Sequence, residues 1–277
     1  MDYKRLTPQC TEIRMKYKAG FEQSFLLTSD WHFDNPLCNR KVLFKHLDYA
    51  KERNAKALLF GDIFCCMQGK YDKRANKSKL RPEHQVDNYL DAIVKTTAED
   101  LEHYKDLIYF LSPGNHESSV LKRNETNLTE RLSEHLEAIC GTYAGWLVFT
   151  FEHEAGGRTR RYNLNYNHGY GGGGPVTKDV IQTNRKAVYL PDADIVVSGH
   201  THDQWVVPVT RIRLLGNGEQ ERSYQYHVKT GNYKDEFSCG EGWAVEMGMP
   251  PKPIGSVLAT FKYESGNIAV SFENLLD

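Results

Sequence analysis

Along the chain, short apolar runs that stop at a polar residue alternate with longer stretches whose apolar positions recur every three or four residues. "SFLLTSD" (24–30) and "KALLFGD" (56–62) are of the first kind and predict buried strands. Between them, "RKVLFKHLDYAKERN" (40–54) puts Val42, Leu43, Leu47 and Ala50 on one stripe, the mark of a half-buried helix. A second, longer helix is expected from about Pro82 to Tyr104, with the proline near its start. "LIYFLSPGNHE" (107–117) reads as a strand running into a turn, and "NLTERLSEHLEAIC" (127–140) as a helix. "LVFTFEHE" and "RRYNLNYNHG" predict two strands joined by the "AGGR" turn. A helix is expected over 177–188, and "ADIVVSGH" (193–200) is one more strand. From 205 on, "WVVPVTRIRLL", "RSYQYHVKT", "GSVLATFKY" and "NIAVSFEN" have strand patterning, separated by Gly/Asn turns. The first two hundred residues thus alternate strand and helix, which implies sheet strands covered by helices. The strand-rich remainder implies a second sheet or an extension of the first. No Pro/Gly/Ser linker of convincing length divides the chain, so residues 1–277 read as one domain with a strand-rich portion from about 205.

Composition narrows the classes. An apolar share of 40% and a charged share of 26% are ordinary for a globular protein. With 35 basic against 36 acidic side chains, a whole-surface polyanion binder is disfavoured, though local patches remain open. "MDYKRLTPQCTEIRMKYK" has no apolar core of a signal peptide, and no stretch approaches the roughly 20 apolar residues of a membrane span. The six cysteines have no regular spacing, no CxxC pair and one adjacent pair, Cys65-Cys66. They read as free thiols of a reducing compartment, which points to the cytoplasm.

The chemistry sits where the strands stop. The first ends in Asp30-Trp31-His32, the second in Gly61-Asp62, and the third in Gly114-Asn115-His116-Glu117. The hairpin ends in His168-Gly169 and the following strand in Gly199-His200-Thr201-His202. Singly, each residue is more often a cap or turn residue than a ligand; the ordered set of five terminations points to a metal site, because α/β proteins build sites at strand ends. Two cations some 3.5–4 Å apart need a bridging carboxylate. Asp62, after a glycine that permits close approach, is the natural bridge. Imidazoles and one amide complete the shells while keeping ligand charge low, which preserves Lewis acidity.

"SDWH", "GDIF", "GNHE", "NHG" and "GHTH", in that order, resemble the motif set of the calcineurin-like metallophosphoesterases over roughly residues 24 to 202. The resemblance implies a four-layer α/β/β/α sandwich, two mixed β-sheets flanked by helices. It implies that Asp30, His32, Asp62 and His202 hold one metal and that Asp62, Asn115, His168 and His200 hold the other. His116 would act beside the substrate, giving a proton to the leaving oxygen or stabilising transition-state charge. A metal-bridging hydroxide would attack phosphorus in line. Histidine-rich ligation favours two ions of Mn²⁺, Fe or Zn²⁺ over Mg²⁺, with Mn²⁺ first. Protein phosphatases of this superfamily read Gly-Asp-x-x-Asp-Arg-Gly at the second motif; this chain reads "GDIFCCMQG", so the carboxylate that partners the histidine is missing. Protein phosphatase activity is therefore not expected, and what orients His116 stays open, with Glu117 adjoining it in sequence. "KTGNY" (229–233) resembles the family's loop after the last motif but departs from it at Thr230 and Asn232.

The substrate expected first is a phosphodiester, nucleic acid or nucleotide; a small phosphomonoester is the alternative. Outside catalysis, the fold would be a binding scaffold or a nuclease subunit needing a partner chain. The basic segment "GKYDKRANKSKLRPEH" follows the Asp62 turn. A solvated loop is the commoner fate of such a run, and the sharper reading has Lys73 and Arg74 holding substrate phosphates. "HGYGGGGPVTKD" lacks the Walker pattern and reads as a flap beside the site. Trp31, Phe33 and Tyr170 flank ligand positions and would either stack a base or pack, and Tyr170 is the one carried forward as a substrate contact. His46, His84, His103, His135, His153 and His227 belong to no motif and are expected at the surface or in packing.

Overall fold

The computed structural model describes residues 1–66, 80–157, 159–172, 174–238, 240 and 242–277. One sheet has seven strands, numbered in chain order and lying side by side as β1 (Asp2–Thr7), β2 (Cys10–Tyr17), β7 (Ala144–His153), β8 (Thr159–Asn167), β9 (Ile195–Ser198), β11 (Gln220–Thr230) and β10 (Gln204–Leu214). The other has six: β13 (Asn267–Leu276), β12 (Gly255–Glu264), β3 (Glu22–Thr28), β4 (Lys56–Phe60), β5 (Ile108–Ser112) and β6 (Ile139–Cys140). Both are mixed. β3 to β6 run parallel, as do β2 with β7 and β9 with both its neighbours, whereas the strands at β12–β13, β7–β8 and β10–β11 are antiparallel.

The two-residue alternation of strands decides what each side chain meets. Phe25 and Leu27 of β3, Leu58 and Phe60 of β4, and Val257, Ala259 and Phe261 of β12 face the other sheet, where Ile13, Phe149, Phe151, Leu164 and Ile195 meet them. Aromatic rings close this inner layer, with Phe25 and Phe149 centroids 4.8 Å apart and Phe151 and Phe261 5.1 Å apart. The intervening residues Leu26, Ala57, Leu59 and Leu258 face outward under a helical layer. That layer is α1 (Arg40–Glu52), α2 (Tyr89–Leu101) and α4 (Leu128–Leu136), whose stripes Leu43/Leu47/Ala50, Ile93/Val94/Leu101 and Leu128/Leu132/Leu136 are buried on it. On the far side, α5 (Val180–Tyr189) packs on β11 over a polar floor of buried Gln225, His227 and Lys229. The architecture is the expected α/β/β/α stack, and β10 to β13 contribute to both sheets.

Three local expectations are corrected. The helix from Pro82 starts only at Tyr89; Pro82–His84 is a separate single turn. His84 Nε2 lies 2.8 Å from Thr96 Oγ1, a contact impossible in one continuous helix, which would hold those positions about 18 Å apart. The turn expected after β5 instead opens a helix, α3 (Asn115–Asn124), and the helix expected through Cys140 ends at Leu136, freeing Ile139–Cys140 to pair with β5. The β1–β2 hairpin was not among the expected elements: β1 is an exposed, charged edge strand, whereas β2 lies inside the sheet, its buried Ile13, Met15 and Tyr17 alternating with exposed Arg14 and Lys16.

Candidate metal centre

Asp30 follows β3, Asp62 follows β4, Asn115 opens α3 beyond β5, His168 follows β8, and His200 and His202 follow β9. These strands belong to both sheets, so the residues meet at one end of the sandwich. Backbone bonds lock the loops together: Asp30 N–H donates to Gly61 O (3.0 Å), His32 N–H to Asp62 O (3.1 Å), and Gly199 N–H to His168 O (2.9 Å). Carboxylates lock the turns from within, Asp30 Oδ2 accepting from His200 N–H (2.9 Å) and Asp62 Oδ1 from His116 N–H (3.0 Å). The "KTGNY" loop braces the same place: Tyr233 N–H donates to Asp30 O (3.0 Å), and Thr230 Oγ1 is 2.6 Å from Ser29 Oγ.

Two groups of donor atoms result, each with all atoms within 4.8 Å of one another: Asp30, His32 and His202, and Asp62, His168 and His200. His202 Nε2 is 3.3 Å and His168 Nε2 3.9 Å from Asp30 Oδ1, His168 Nε2 is 3.1 Å from Asp62 Oδ2, and His200 Nδ1 is 2.8 Å from Asn115 Oδ1. The seven residues expected as ligands are thus brought together from positions 30 to 202. Their backbones are strained to do so: φ is 51° at Asp30, 46° at His32, 49° at Asp62, 69° at His200 and 59° at His202, the left-handed region. Each such residue costs on the order of 1 kcal/mol and persists where the surroundings over-determine it, which is typical of functional sites. Two glycines permit the crowding. A Cβ at Gly114 would overlap Asp62 Oδ1, and one at Gly199 would overlap Ser29 Oγ and Asp30 Oδ2.

The donors fit cations. Asp30 Oδ1 and His168 Nε2 are buried without a hydrogen-bond partner, a deficit of about 1–3 kcal/mol per group that a bound cation removes. His168 Nδ1 donates to Phe60 O (2.8 Å), fixing the tautomer that leaves Nε2 free toward the centre. Electrostatics agree. Burial disfavours ionised Asp30, yet the His168 charge, the nearby His202 imidazole and the Ser29 hydroxyl hold its carboxyl well below the usual range. Burial opposes the His168 charge too, but Asp62 and Asp30 raise it to about 10. Burial, then His116, keeps His32 neutral.

His116 is oriented by a backbone atom. Its Nδ1–H donates to the Cys65 carbonyl, and its Nε2 is left 3.7 Å from Asp62 Oδ2 at the wall of a cavity. Glu117 does something else. Its buried carboxylate accepts from the N–H groups of Phe64 (2.8 Å), Gly114 (2.8 Å) and Asp62 (3.2 Å), tying the second and third motifs together. Burial, then the Asp62 charge, push its pKa up, while the backbone donors pull it down. Asp34, not singled out by the sequence, holds the other half of the device: it accepts from Cys65 N–H, from Cys66 N–H (3.1 Å) and from Tyr89 O–H (2.6 Å).

The cavity over the centre measures about 630 Å³. His32, Asp62, Asn115, His116, His200 and His202 line one side, Gly171 and Gly172 reach it, and the segment 234–254 forms the rest through Lys234, Phe237, Met249, Lys252 and Ile254. Sequence reading missed that segment, whose only signal was the "KTGNY" loop leading into it. Tyr170 is 63% exposed and does not line the cavity. Lys73 and Arg74 lie outside the described residues. Trp31 and Phe33 are buried and pack, Trp31 Nε1 donating to Thr28 Oγ1 (2.7 Å). Of the unassigned histidines, His46, His84 and His227 are buried, with Tyr233, Thr96 and Gln225 as partners.

Two mixed sheets between helices, with acidic and imidazole donors gathered at their strand ends, define a metal-binding α/β sandwich of the phosphoesterase type. The chain belongs to the calcineurin-like phosphoesterases, whose family model matches residues 24–204. That family uses divalent metals and acts on phosphoesters. No curated protein matches the chain. Among solved structures it is similar to Vacuolar Protein Sorting 29 of Cryptosporidium parvum, at 16% identity and a TM-score of 0.39 over 93% of this chain and 100% of that one. It is also similar to Vps29 of Entamoeba histolytica complexed with Zn²⁺, at 12% identity and 0.34, covering 91% and 99%. A predicted phosphoesterase of Streptococcus pneumoniae TIGR4 is similar at 12% identity and 0.32, covering 92% and 91%. Likenesses this distant carry no statement about activity or partners. Among the described residues, no helix is long and apolar enough to cross a membrane.

Proposed function

We propose that the protein is a dinuclear metal-dependent phosphodiesterase acting on a substrate of about nucleotide size. The observation that carries this reading is the convergence of seven donor residues at one end of the sandwich, where His32, Asp62, Asn115, His200, His202 and His116 line one cavity and Asp30 Oδ1 and His168 Nε2 are buried without a hydrogen-bond partner. Asp30, His32, Asp62 and His202 would hold one ion and Asp62, Asn115, His168 and His200 the other, with Asp62 shared. Two divalent cations at such a site supply Lewis acidity and a water that ionises near neutral pH. His116, held through Nδ1 by the Cys65 carbonyl, moves a proton from Nε2 to the departing alkoxide. The mixed imidazole and carboxylate donors suit Mn²⁺.

Charge and size support a small diester. Among the described residues, the cavity's cations apart from the histidines are Lys234 and Lys252, and both are already paired, with Glu236 (3.1 Å) and Asp203 (2.7 Å). No arginine lines the cavity among the described residues. Beyond the charge a metal pair would supply, the described lining thus offers a substrate no unpaired lysine or arginine, which suits a singly charged diester better than a doubly charged monoester. About 630 Å³ lies within the 300–1,000 Å³ of small-molecule sites. The unpaired thiols of Cys10, Cys38, Cys65, Cys66 and Cys140 suit a reducing compartment such as the cytoplasm.

The test is turnover of bis-p-nitrophenyl phosphate against p-nitrophenyl phosphate and single-stranded DNA, with Mn²⁺ added and bound metal measured by mass spectrometry. Fastest turnover of the small diester is expected. Faster monoester turnover overturns the substrate assignment. Protein that neither binds Mn²⁺ nor turns over any of the three is a scaffold, or a nuclease subunit awaiting its partner.

A further inference from the structure

Beside the candidate metal pair lies a third group of donors. Cys65 Sγ, a ring nitrogen of His32 and a ring nitrogen of His116 are all within 4.8 Å of one another, and all three residues line the cavity. Cys65 occupies the position at which the Gly-Asp-x-x-Asp-Arg-Gly pattern has its carboxylate, so a hard oxygen donor has been exchanged for a soft sulfur one. The thiol is held in place by Asn35, whose Nδ2 donates to Sγ (3.2 Å). His32 is 2% exposed, and its Nδ1 has no hydrogen-bond partner.

Two imidazoles and a thiolate form a set that selects Zn²⁺ or Cd²⁺ over Mn²⁺. With Zn–N near 2.0 Å and Zn–S near 2.3 Å, a tetrahedral ion places its donors roughly 3.3–3.5 Å apart. Drawing together atoms that lie within 4.8 Å asks for shifts of about 1 Å. We propose that His32, Cys65 and His116 form a soft-metal site through which Zn²⁺ or Cd²⁺ inhibits the enzyme. On binding, the Cys65 S–H bond breaks, its proton passes to solvent, and a sulfur–metal bond forms; nothing is oxidised or reduced. The ion takes the imidazole of His116 out of proton transfer and competes for His32. The inhibitory consequence rests on the function proposed above, whereas the binding does not.

The experiment titrates Cd²⁺ into the full-length, Mn²⁺-loaded protein and follows two readouts: the ultraviolet thiolate-to-cadmium charge-transfer band and the turnover of bis-p-nitrophenyl phosphate. A band saturating at one ion per chain, with turnover lost in parallel, is expected. Cys65→Ser should abolish the band and raise the inhibitory Cd²⁺ concentration at least about tenfold, the loss that even an indirect partner of a metal typically causes. Inhibition is read against each variant's own uninhibited rate, and Cys65→Ala serves if the serine variant misfolds. Cys66→Ser, whose side chain does not line the cavity, should keep both responses. The proposal is overturned if the wild type gives no band, if the band forms while turnover persists, or if band and inhibition survive in both Cys65 variants. A Cys65-dependent band in a protein without turnover would sink the proposed activity and leave this site standing.

Discussion

Replacing Asp34 by asparagine changes almost no volume and removes one acceptor from a buried group of three donors. Asp34 is 1% exposed, and its carboxylate receives Cys65 N–H, Cys66 N–H and Tyr89 O–H. An amide offers one oxygen. If that oxygen keeps Cys65 N–H and the new NH₂ turns to donate to the tyrosine oxygen, Cys66 N–H is orphaned; the opposite flip orphans Cys65 N–H. An unpaired buried donor costs about 1–3 kcal/mol, and the surviving bonds each lose roughly 0.5–1 kcal/mol of charge assistance. The total is about 3 kcal/mol, which lowers Tm by roughly 6 °C in a chain of this size. The strain falls on the turn whose carbonyl holds His116 and whose Cys66 has a φ of 52°. With a general acid worth some 10²–10⁴ in rate, partial loss of its orientation should lower kcat about tenfold. KM and bound Mn²⁺ should be unchanged, because no ligand of the candidate dinuclear centre is bonded to the Asp34 carboxylate. Tyr89→Phe, which takes one bond and leaves both N–H donors satisfied, should cost about 1.5 kcal/mol and leave kcat intact. Melting curves, metal content and kcat measured on both variants decide the matter. An Asp34→Asn enzyme with normal kcat despite a lowered Tm, or one losing activity only in proportion to lost metal, refutes the positioning argument.

Two further outcomes are expected. Gly199→Ala forces a methyl onto Ser29 Oγ and Asp30 Oδ2, and overpacking of this kind costs about 1–3 kcal/mol. Its Mn²⁺ content after dialysis should fall well below that of the wild type with the circular dichroism spectrum retained; normal metal content would show that the loop yields without moving Asp30. Lys186, on the buried face of α5, is 7% exposed, and burial, then the Lys229 charge, lower its pKa from 10.5 to about 8. Between those values the unfolded chain binds more protons than the folded one, so this group makes stability rise with pH across that window, by up to about 3 kcal/mol. Urea unfolding of wild type and Lys186→Met from pH 7.5 to 10 should give curves that converge as pH rises, with the methionine variant more stable at the low end; parallel curves would mean that Lys186 is not buried as a cation.

By itself the sequence determined most element types and singled out the candidate donors that the fold brings together. Both are local properties. A period of two or of three to four positions is written in neighbouring residues, and Asp30-Trp31-His32, Gly61-Asp62, Gly114-Asn115-His116, His168-Gly169 and Gly199-His200-Thr201-His202 each stand beside the apolar run that ends there. Where such local evidence failed, long-range contacts had overruled it, as when His84 folds back on Thr96 or when the charged edge strand β1 pairs with β2. Only the tertiary structure decided how those residues are used. His116 is aimed by a carbonyl, and an acceptor present at every position leaves no trace in a side-chain pattern. Glu117, beside the histidine in sequence, serves the backbone of two turns instead, while Asp34 reaches across to residues 65 and 66. The cavity is completed by residues 234–254, remote from every motif, because strand order in the sheets and not distance along the chain sets which loops meet.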